Sequence, residues 1–255
     1  MGFDMQDFSL AGRTALVIGA GGGIGAALAQ GMAKAGARVL LAGRDRAKLL
    51  RVAQALRAGD DAVHTLDARQ VGELEALAAR LDQSHGPVDI LVNCQGTLAI
   101  KPAIQTTEAE YDAILDTNLK SVYFSCVAFG KRMLGRGAGA IINITSLSAH
   151  TGWSQGAAYC ASKWGVAGLT QTFAAEWGGQ GVRVNAIAPG FFPTELNRER
   201  MPQARKEEAA RRSAMGRMGE VDELVGAAIY LASPAAAFVN GATLRVDGGY
   251  LSSGI

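Results

Sequence analysis

The sequence predicts a doubly wound α/β fold, in which one parallel sheet of seven strands carries helices on both faces. Short apolar runs of four to six residues alternate with helical patterns along the chain, and parallel neighbours need such crossover connections. Runs such as Ala15-Leu-Val-Ile18 are apolar throughout, as expected of strands buried on both faces. No linker rich in proline, glycine or serine interrupts this alternation, so residues 1–255 are predicted to form a single domain.

Each strand is predicted where an apolar run precedes a segment of helical periodicity. The predicted strands are residues 14–18, 37–42, 63–66, 90–93, 140–144, 183–187 and 242–246. Two segments depart from the alternation. The longest helical pattern, residues 108–134, is expected to contain an irregularity near Asn118. Residues 191–215 carry two prolines and many charges, which predicts a mobile lid.

Composition excludes several classes of function. Hydrophobic residues make up 49% and charged residues 19%, which predicts a packed globule. The net charge of +2 gives no electrostatic case for binding nucleic acid or an anionic membrane, so a small-molecule partner is expected. The three cysteines lack C-x-x-C spacing, which argues against disulfides and a metal site and predicts a cytoplasmic protein. The first ten residues do not have the pattern of a signal peptide.

A glycine-rich run joins the first predicted strand to the first predicted helix, which extends through Lys34. Glycines allow a tight turn, close approach of the backbone to a pyrophosphate, and close packing of helix on strand. The amides at the helix N-terminus then face the anion. The run by itself also suits an ordinary turn, but its position favours a dinucleotide site. It reads Gly19-Ala20-Gly21-Gly22-Gly23-Ile24-Gly25.

Further motifs stand at matching intervals. They are Asn93-Cys94-Gln95-Gly96 after the fourth strand, Asn118, Ser146, Tyr159-Cys-Ala-Ser-Lys163, and Pro189-Gly190 with Thr194. Together with the spacing of Gly19, Gly23 and Gly25, these motifs resemble the short-chain dehydrogenase/reductase family over residues 9–250. The resemblance implies a Rossmann fold that binds NAD(P). It implies nucleotide contacts at Gly19, Gly23, Ile24, Gly25, Asp67, Ala68, Asn93, Gly96, Tyr159, Lys163, Pro189, Gly190 and Thr194.

Three positions depart from the family pattern. Ile18 stands where the family usually has threonine, and Cys94 and Gln95 replace asparagine and alanine. We expect these differences to alter nucleotide affinity and leave the fold unchanged.

The choice of nucleotide depends on the end of the second strand, where a carboxylate binds the ribose 2′-hydroxyl or an arginine binds a 2′-phosphate. Gly43 stands at the usual acidic position, and the guanidinium of Arg44 suits a phosphate. NADP(H) is therefore favoured over NAD(H). Alternatively, Arg44 is a solvated loop charge, and Asp45 caps the next helix or reaches the ribose. The resemblance implies that Asp67 contacts the adenine; alternatively, Asp67 only caps a turn.

The spacing of Tyr159 and Lys163 places both side chains on one helix face. An ammonium near a phenol favours the phenolate, so the pKa of Tyr159 is expected to fall. An isolated Tyr-x-x-x-Lys pair is often only a surface feature, but Ser146, Asn118 and the glycine run accompany it here. The resemblance implies that Lys163 binds the nicotinamide ribose, Asn118 holds a water, and Ser146 orients the substrate oxygen.

These residues predict an oxidoreductase that interconverts a carbonyl and a secondary alcohol, with Tyr159 moving the proton. Residues 189–196, with Gly43-Arg44-Asp45, resemble the gluconate 5-dehydrogenase branch, which implies a sugar acid or polyol substrate. The alternatives are a 3-oxoacyl thioester reductase and a catalytically silent nucleotide sensor.

The resemblance also implies a homotetramer, which the sequence does not distinguish from a dimer. The helix after Tyr159 places four large apolar residues at helical intervals, where they can pack in the domain core or against another subunit. They are Val166, Leu169, Phe173 and Trp177.

Overall fold

The sheet has seven strands, and all neighbouring strands are parallel. The computed structural model describes residues 2, 4–194 and 201–252. The strand order is β3-β2-β1-β4-β5-β6-β7, which confirms the predicted fold class. The bounds differ from the predicted runs by two residues at most. The strands are β1 (Thr14–Ile18), β2 (Arg38–Gly43), β3 (Val63–Thr65), β4 (Ile90–Asn93), β5 (Gly139–Ile144), β6 (Val182–Pro189) and β7 (Thr243–Val246).

Helices cover both faces of the sheet. One apolar cluster joins α1, α2 and α8 to one face, and a second joins α3, α5 and α6 to the other. The central strands β1 and β4 are buried along their whole length. The helices are α1 (Gly23–Lys34), α2 (Arg46–Leu56), α3 (Val71–Ser84), α4 (Glu108–Leu115), α5 (Ser121–Arg136), α6 (Ala157–Trp177), α7 (Gln203–Arg212) and α8 (Val225–Ala232).

The order in which successive strands are added to the sheet reverses between β1 and β4. Strands β2 and β3 extend from β1 on one side, whereas β4 to β7 extend on the other. In open α/β sheets the crevice outside the carboxyl ends at such a switch point holds the ligand. The fold therefore places the Gly19–Gly25 run and the Asn93–Gly96 motif next to each other at one crevice.

The helix irregularity expected near Asn118 is present as a π-helical turn, Asp116–Lys120, between α4 and α5. Thr107 caps the N-terminus of α4 in a capping box with Glu110. The extra residue of a π turn changes the direction in which the following side chains point. Here Asn118 is fully buried and contacts the loop after β4 and α6.

The region predicted as a lid is described in part. It contains α7, and residues 195–200 within it lie outside the described residues. None of the helices that the structure describes is long and apolar enough to span a lipid bilayer.

Candidate active site

A cavity of about 950 Å³ opens at the carboxyl edge of the sheet, beside β1 and β4. Most of the residues predicted from the sequence to bind nucleotide or catalyse the reaction line it. These are Gly19, Gly23, Ile24, Gly25, Arg44, Gly96, Ser146, Tyr159, Lys163, Pro189, Gly190 and Thr194.

The glycine run forms one wall of this cavity because side chains do not fit there. Gly19 has φ of +86°, and a Cβ on it would lie 2.7 Å from the carbonyl carbon of Cys94. A Cβ on Gly25 would overlap the carbonyl oxygen of Gly19. No side chain caps α1 at Gly22, so the first-turn amides remain available to an anion. This wall fits the pyrophosphate of a dinucleotide.

Basic groups dominate the end of the cavity beside β2. Arg44 and Lys48 line it together with Asp45. Asp45 is the only carboxylate among the described lining residues, and it accepts a hydrogen bond from the Lys48 amide at 3.0 Å as the N-cap of α2. The capping role considered for Asp45 is thus confirmed. Lys48, in the first turn of α2, was missed in the sequence, and its place four residues after Arg44 was the available signal.

Four of the predicted site residues do not line the cavity, namely Asp67, Ala68, Asn93 and Asn118. Asp67 forms an ion pair with Arg69, which lowers the pKa of the Asp67 carboxyl. Asn93 is buried beneath the crevice, where its amide donates to Asn143 Oδ1 at 2.9 Å and accepts from Ser125 Oγ at 2.6 Å. Asn93 therefore ties β4 to β5 and α5.

Gln95 extends this polar network. Its Nε2 donates to Ser121 Oγ at 3.1 Å and to Asn93 Oδ1 at 3.4 Å. Alanine, which the family usually has at this position, cannot form these hydrogen bonds. The departure at Gln95 thus fixes the loop after β4 to the start of α5.

Asn118 holds the loop after β4 against α6. Its Oδ1 accepts from the Thr97 amide at 2.7 Å, and its Nδ2 donates to the Thr97 carbonyl at 2.9 Å and to Ser162 Oγ at 3.1 Å. Both amide hydrogens are thereby used. One lone pair of Oδ1 is left for a water.

Ser146, Tyr159 and Lys163 meet at the end of β5. Ser146 follows β5 and accepts a hydrogen bond from the Ser148 amide at 3.1 Å, and it lines the cavity together with Tyr159. Lys163, one turn after Tyr159 on α6, is 4% exposed, and its Nζ donates to the Ile144 carbonyl at 2.8 Å. Nζ lies 5.7 Å from the centre of the Tyr159 ring.

Burial controls the acidity of this pair. Burial raises the pKa of Tyr159, and the hydrogen bond with Ser146 only partly offsets it. The expectation that Lys163 makes this phenol more acidic is therefore wrong for this structure. Burial also lowers the pKa of Lys163, to about 8, so its ammonium loses a proton more readily than that of an exposed lysine. Tyr159 is thus a protonated donor at neutral pH.

A second cavity of about 140 Å³ adjoins the first. The two cavities share Leu98, Ser146, Tyr159, Pro189 and Gly190. Its outer wall comes from the segment after β5, from α7 and from the turn after β7. Arg212, Tyr250 and Leu251 belong to this wall. Arg212 lies in the segment that the sequence predicts as a lid, whereas the sequence gives no signal for Tyr250 and Leu251, because their proximity to Ser146 is purely tertiary.

The helix after Tyr159 packs mainly within its own domain. Val166, Phe173 and Trp177 are buried in the second apolar cluster, and Leu169 packs against it. The ring of Phe173 stacks on that of Trp177 at 4.3 Å between centroids. Exposed rings are found at Trp164 on this helix, and at Tyr111 and Tyr123 on the neighbouring helices α4 and α5.

Comparison with known proteins agrees with this geometry. A family model described as enoyl-(acyl carrier protein) reductase matches residues 19–251. The chain is 41% identical to a D-threitol dehydrogenase of Mycolicibacterium smegmatis, over 96% of this chain and 95% of that protein. It is 38% identical to a gluconate 5-dehydrogenase of Gluconobacter oxydans, over 95% and 96% of the two chains. The crystal structure of a gluconate 5-dehydrogenase from Burkholderia cenocepacia in complex with NADP and tartrate superposes with a TM-score of 0.92 at 38% identity, covering 98% of this chain and 99% of that chain.

Proposed function

The chain belongs to the short-chain dehydrogenase/reductase family, and from that premise we propose that it oxidises a polyhydroxylated alcohol, reversibly, with NADP(H). It is an NAD(P)-dependent oxidoreductase that interconverts a carbonyl and a secondary alcohol. The observation that carries the proposal is the meeting of Ser146, Tyr159 and Lys163 beside the glycine wall. A bound nicotinamide supplies or accepts the hydride.

In the proposed mechanism Tyr159 moves the proton. In reduction the Tyr159 hydroxyl donates its proton to the substrate oxygen, and in oxidation it takes that proton back. Ser146 donates a hydrogen bond to the same oxygen and stabilises the charge that develops there. Lys163, held by the Ile144 carbonyl, would offer its remaining hydrogens to the nicotinamide ribose. Asn118 acts indirectly, by positioning Thr97 and α6.

The test of the proton-transfer role is Tyr159→Phe. We expect kcat to fall at least about 100-fold, as for the loss of a general acid, while nucleotide affinity changes little because the glycine wall is untouched. The measurements are initial rates and a fluorescence titration with NADPH. Retention of more than a few per cent of kcat contradicts the role.

The preference for NADP(H) is supported by the basic end of the cavity. Arg44 and Lys48 lie there, and the Asp45 carboxylate is engaged as a helix cap. A charge-assisted hydrogen bond contributes about 1.5–3 kcal/mol, or roughly 10- to 150-fold in affinity. Arg44→Ala should therefore lower kcat/KM for NADPH by about this factor and leave NADH nearly unchanged. Arg51→Ala, an exposed arginine on α2 outside the cavity, is the control. A wild-type enzyme faster with NADH overturns the preference.

The proposed substrate is a polyol or a sugar acid. Support comes from the relatives, described as dehydrogenases of threitol and of gluconate, and from the structure described with NADP and tartrate. We propose that residues 191–215 act as its lid, within a single nucleotide-binding domain. A panel of polyols, sugar acids and an acetoacetyl thioester, assayed with both nucleotides, tests the substrate class. Turnover of the thioester alone contradicts it.

We further propose a homotetramer that works in the cytoplasm. The support for assembly is the exposure of Tyr111, Tyr123 and Trp164 on the adjoining helices α4, α5 and α6. The three cysteines are free thiols, which suits a reducing compartment. Sedimentation of the wild type and of Trp164→Glu tests the assembly. A wild-type monomer contradicts it.

A further inference from the structure

A buried serine faces the smaller of the two cavities. Ser148 lies in the short turn Leu147–Ala149 that follows β5, two residues after Ser146. It lines the smaller cavity and not the larger one, and only 3% of the residue is exposed. Its amide donates to Ser146 Oγ at 3.1 Å, but none of the described residues forms a hydrogen bond with the Ser148 hydroxyl.

The hydroxyl of Ser148 is open to this cavity. Among the described residues, the side-chain nitrogen and oxygen atoms that are sealed off without a hydrogen bond are His64 Nε2 and Gln95 Oε1. Ser148 Oγ is not one of them, so the part of it that stays accessible faces the cavity that Ser148 lines. Burying a hydroxyl without a hydrogen bond is unfavourable. A ligand in the smaller cavity that bonds to this hydroxyl removes the cost.

The neighbouring hydroxyls differ from that of Ser148. Thr145 Oγ1 donates to the Ile187 carbonyl at 2.9 Å. Thr151 lines the same cavity as Ser148 but is exposed, so water can satisfy its hydroxyl. Deep burial and the absence of a partner among the described residues thus coincide at Ser148.

Ser148 Oγ also lies close to the place of the reacting oxygen. The proposed mechanism puts that substrate oxygen about 2.8 Å from Ser146 Oγ. A serine hydroxyl lies within about 4 Å of its own amide nitrogen, and the Ser148 nitrogen is 3.1 Å from Ser146 Oγ. The two serine hydroxyls are therefore at most about 7 Å apart. Two oxygens on neighbouring carbons, with a hydrogen bond of about 2.8 Å at each end, can span this distance.

We infer that Ser148 binds the hydroxyl on the carbon next to the reacting carbon, so that the enzyme takes vicinal diols and, in the reverse direction, α-hydroxy ketones. This inference rests on the proposed function and narrows its substrate class. A serine hydroxyl both donates and accepts, as does the substrate hydroxyl that it meets. A substrate with a methylene group at this place, such as a 3-oxoacyl thioester, leaves the Ser148 hydroxyl unpaired and is disfavoured.

The test compares ketones that differ in one hydroxyl. Initial rates with NADPH are measured on acetoin, on its isomer with the hydroxyl one carbon further from the carbonyl, and on butanone, which has no hydroxyl. The polyol with the highest kcat/KM in the substrate panel is assayed beside them. The enzymes are the wild type, Ser148→Ala and the control Ser233→Ala. Ser233 is fully buried, donates to the Tyr230 carbonyl at 2.9 Å and lines neither cavity.

We expect the wild type to prefer acetoin over butanone by at least about tenfold in kcat/KM. Ser148→Ala should lose about tenfold on acetoin and on the polyol, and less than about twofold on butanone and on the isomer. Its Tm should be no lower than that of the wild type, because no described residue loses a hydrogen bond. Ser233→Ala should keep the wild-type preference.

Four results contradict the inference. Equal rates of the wild type on acetoin and butanone overturn it and leave the proposed function standing, as does an unchanged kcat/KM of Ser148→Ala on the polyol. A lower Tm of Ser148→Ala with equal losses on acetoin and butanone overturns it, since this shows a structural role. A loss confined to the isomer overturns the assignment to the neighbouring carbon. Failure of the wild type to turn over any ketone or polyol contradicts both proposals.

Discussion

The replacement Asn118→Ala tests whether the π turn positions the active site. The side chain of Asn118 makes three hydrogen bonds, two of them with the backbone of Thr97, and it is fully buried. Alanine leaves the amide and the carbonyl of Thr97 without these partners. Each buried group left unpaired costs about 1–3 kcal/mol. Because Thr97 lines the larger cavity, water can reach part of this gap, and we expect a net loss of about 2–4 kcal/mol.

The assay has two readouts. Urea unfolding at fixed protein concentration gives the free energy of unfolding, and a loss of this size lowers Tm by roughly 4–15 °C. Initial rates should show a lower kcat with a nearly unchanged KM for the nucleotide, because the loop from Gly96 to Thr97 moves relative to Lys163. Asp116→Asn, in the same turn, removes only an exposed ion pair with Lys120 and should change stability by less than about 1 kcal/mol. An Asn118→Ala protein within about 0.5 kcal/mol of the wild type refutes the reasoning.

Three further outcomes are expected. Gly25→Ala should raise the Kd for NADPH at least tenfold in a fluorescence titration, because its Cβ overlaps the Gly19 carbonyl. The control is Gly168→Ala, where a Cβ meets nothing within 4 Å, and it should leave the Kd unchanged. Burial raises the pKa of Tyr159. The kcat for alcohol oxidation should therefore rise with pH through the neutral range, whereas the kcat for reduction should not. A flat pH profile of oxidation in stopped-flow measurements argues against the raised pKa of Tyr159. Burial lowers the pKa of His64 from 6.5 to about 4, so the unfolded chain binds more protons between these two pH values and stability should fall as the pH drops through them. The full shift corresponds to about 3 kcal/mol, and we expect about 2 kcal/mol because solvent screens this half-buried ring. Urea unfolding of His64→Gln should lose that part of the slope, and an unchanged slope counts against the assignment.

The strands and the nucleotide wall were predictable because their signals are local. Continuous apolar runs specify buried parallel strands, and the spacing of Gly19, Gly23 and Gly25 reflects steric needs within a single turn. The four-residue spacing of Tyr159 and Lys163 likewise fixes a shared helix face. The irregularity predicted near Asn118 was also confirmed, and the structure shows that it is a π turn.

The remaining features depend on tertiary packing. Whether Asn93 faces the crevice or the layer beneath depends on its register with Asn143, which the sequence does not reveal. The acidity of Tyr159 depends on its depth of burial, and the spacing to Lys163 gives no measure of depth. Arg212 and Tyr250 approach Ser146 only when α7 and the turn after β7 are in place.

The two cavities meet at a boundary that includes Ser146 and Tyr159 and otherwise have separate walls. The walls on the nucleotide side are built largely from strand ends and helix starts, whereas the outer wall on the substrate side is built largely from connecting segments. Changes in those segments can therefore alter which molecules are accepted without disturbing redox chemistry. The outer wall on the substrate side thus offers protein engineers a separable module for redirecting turnover to another substrate.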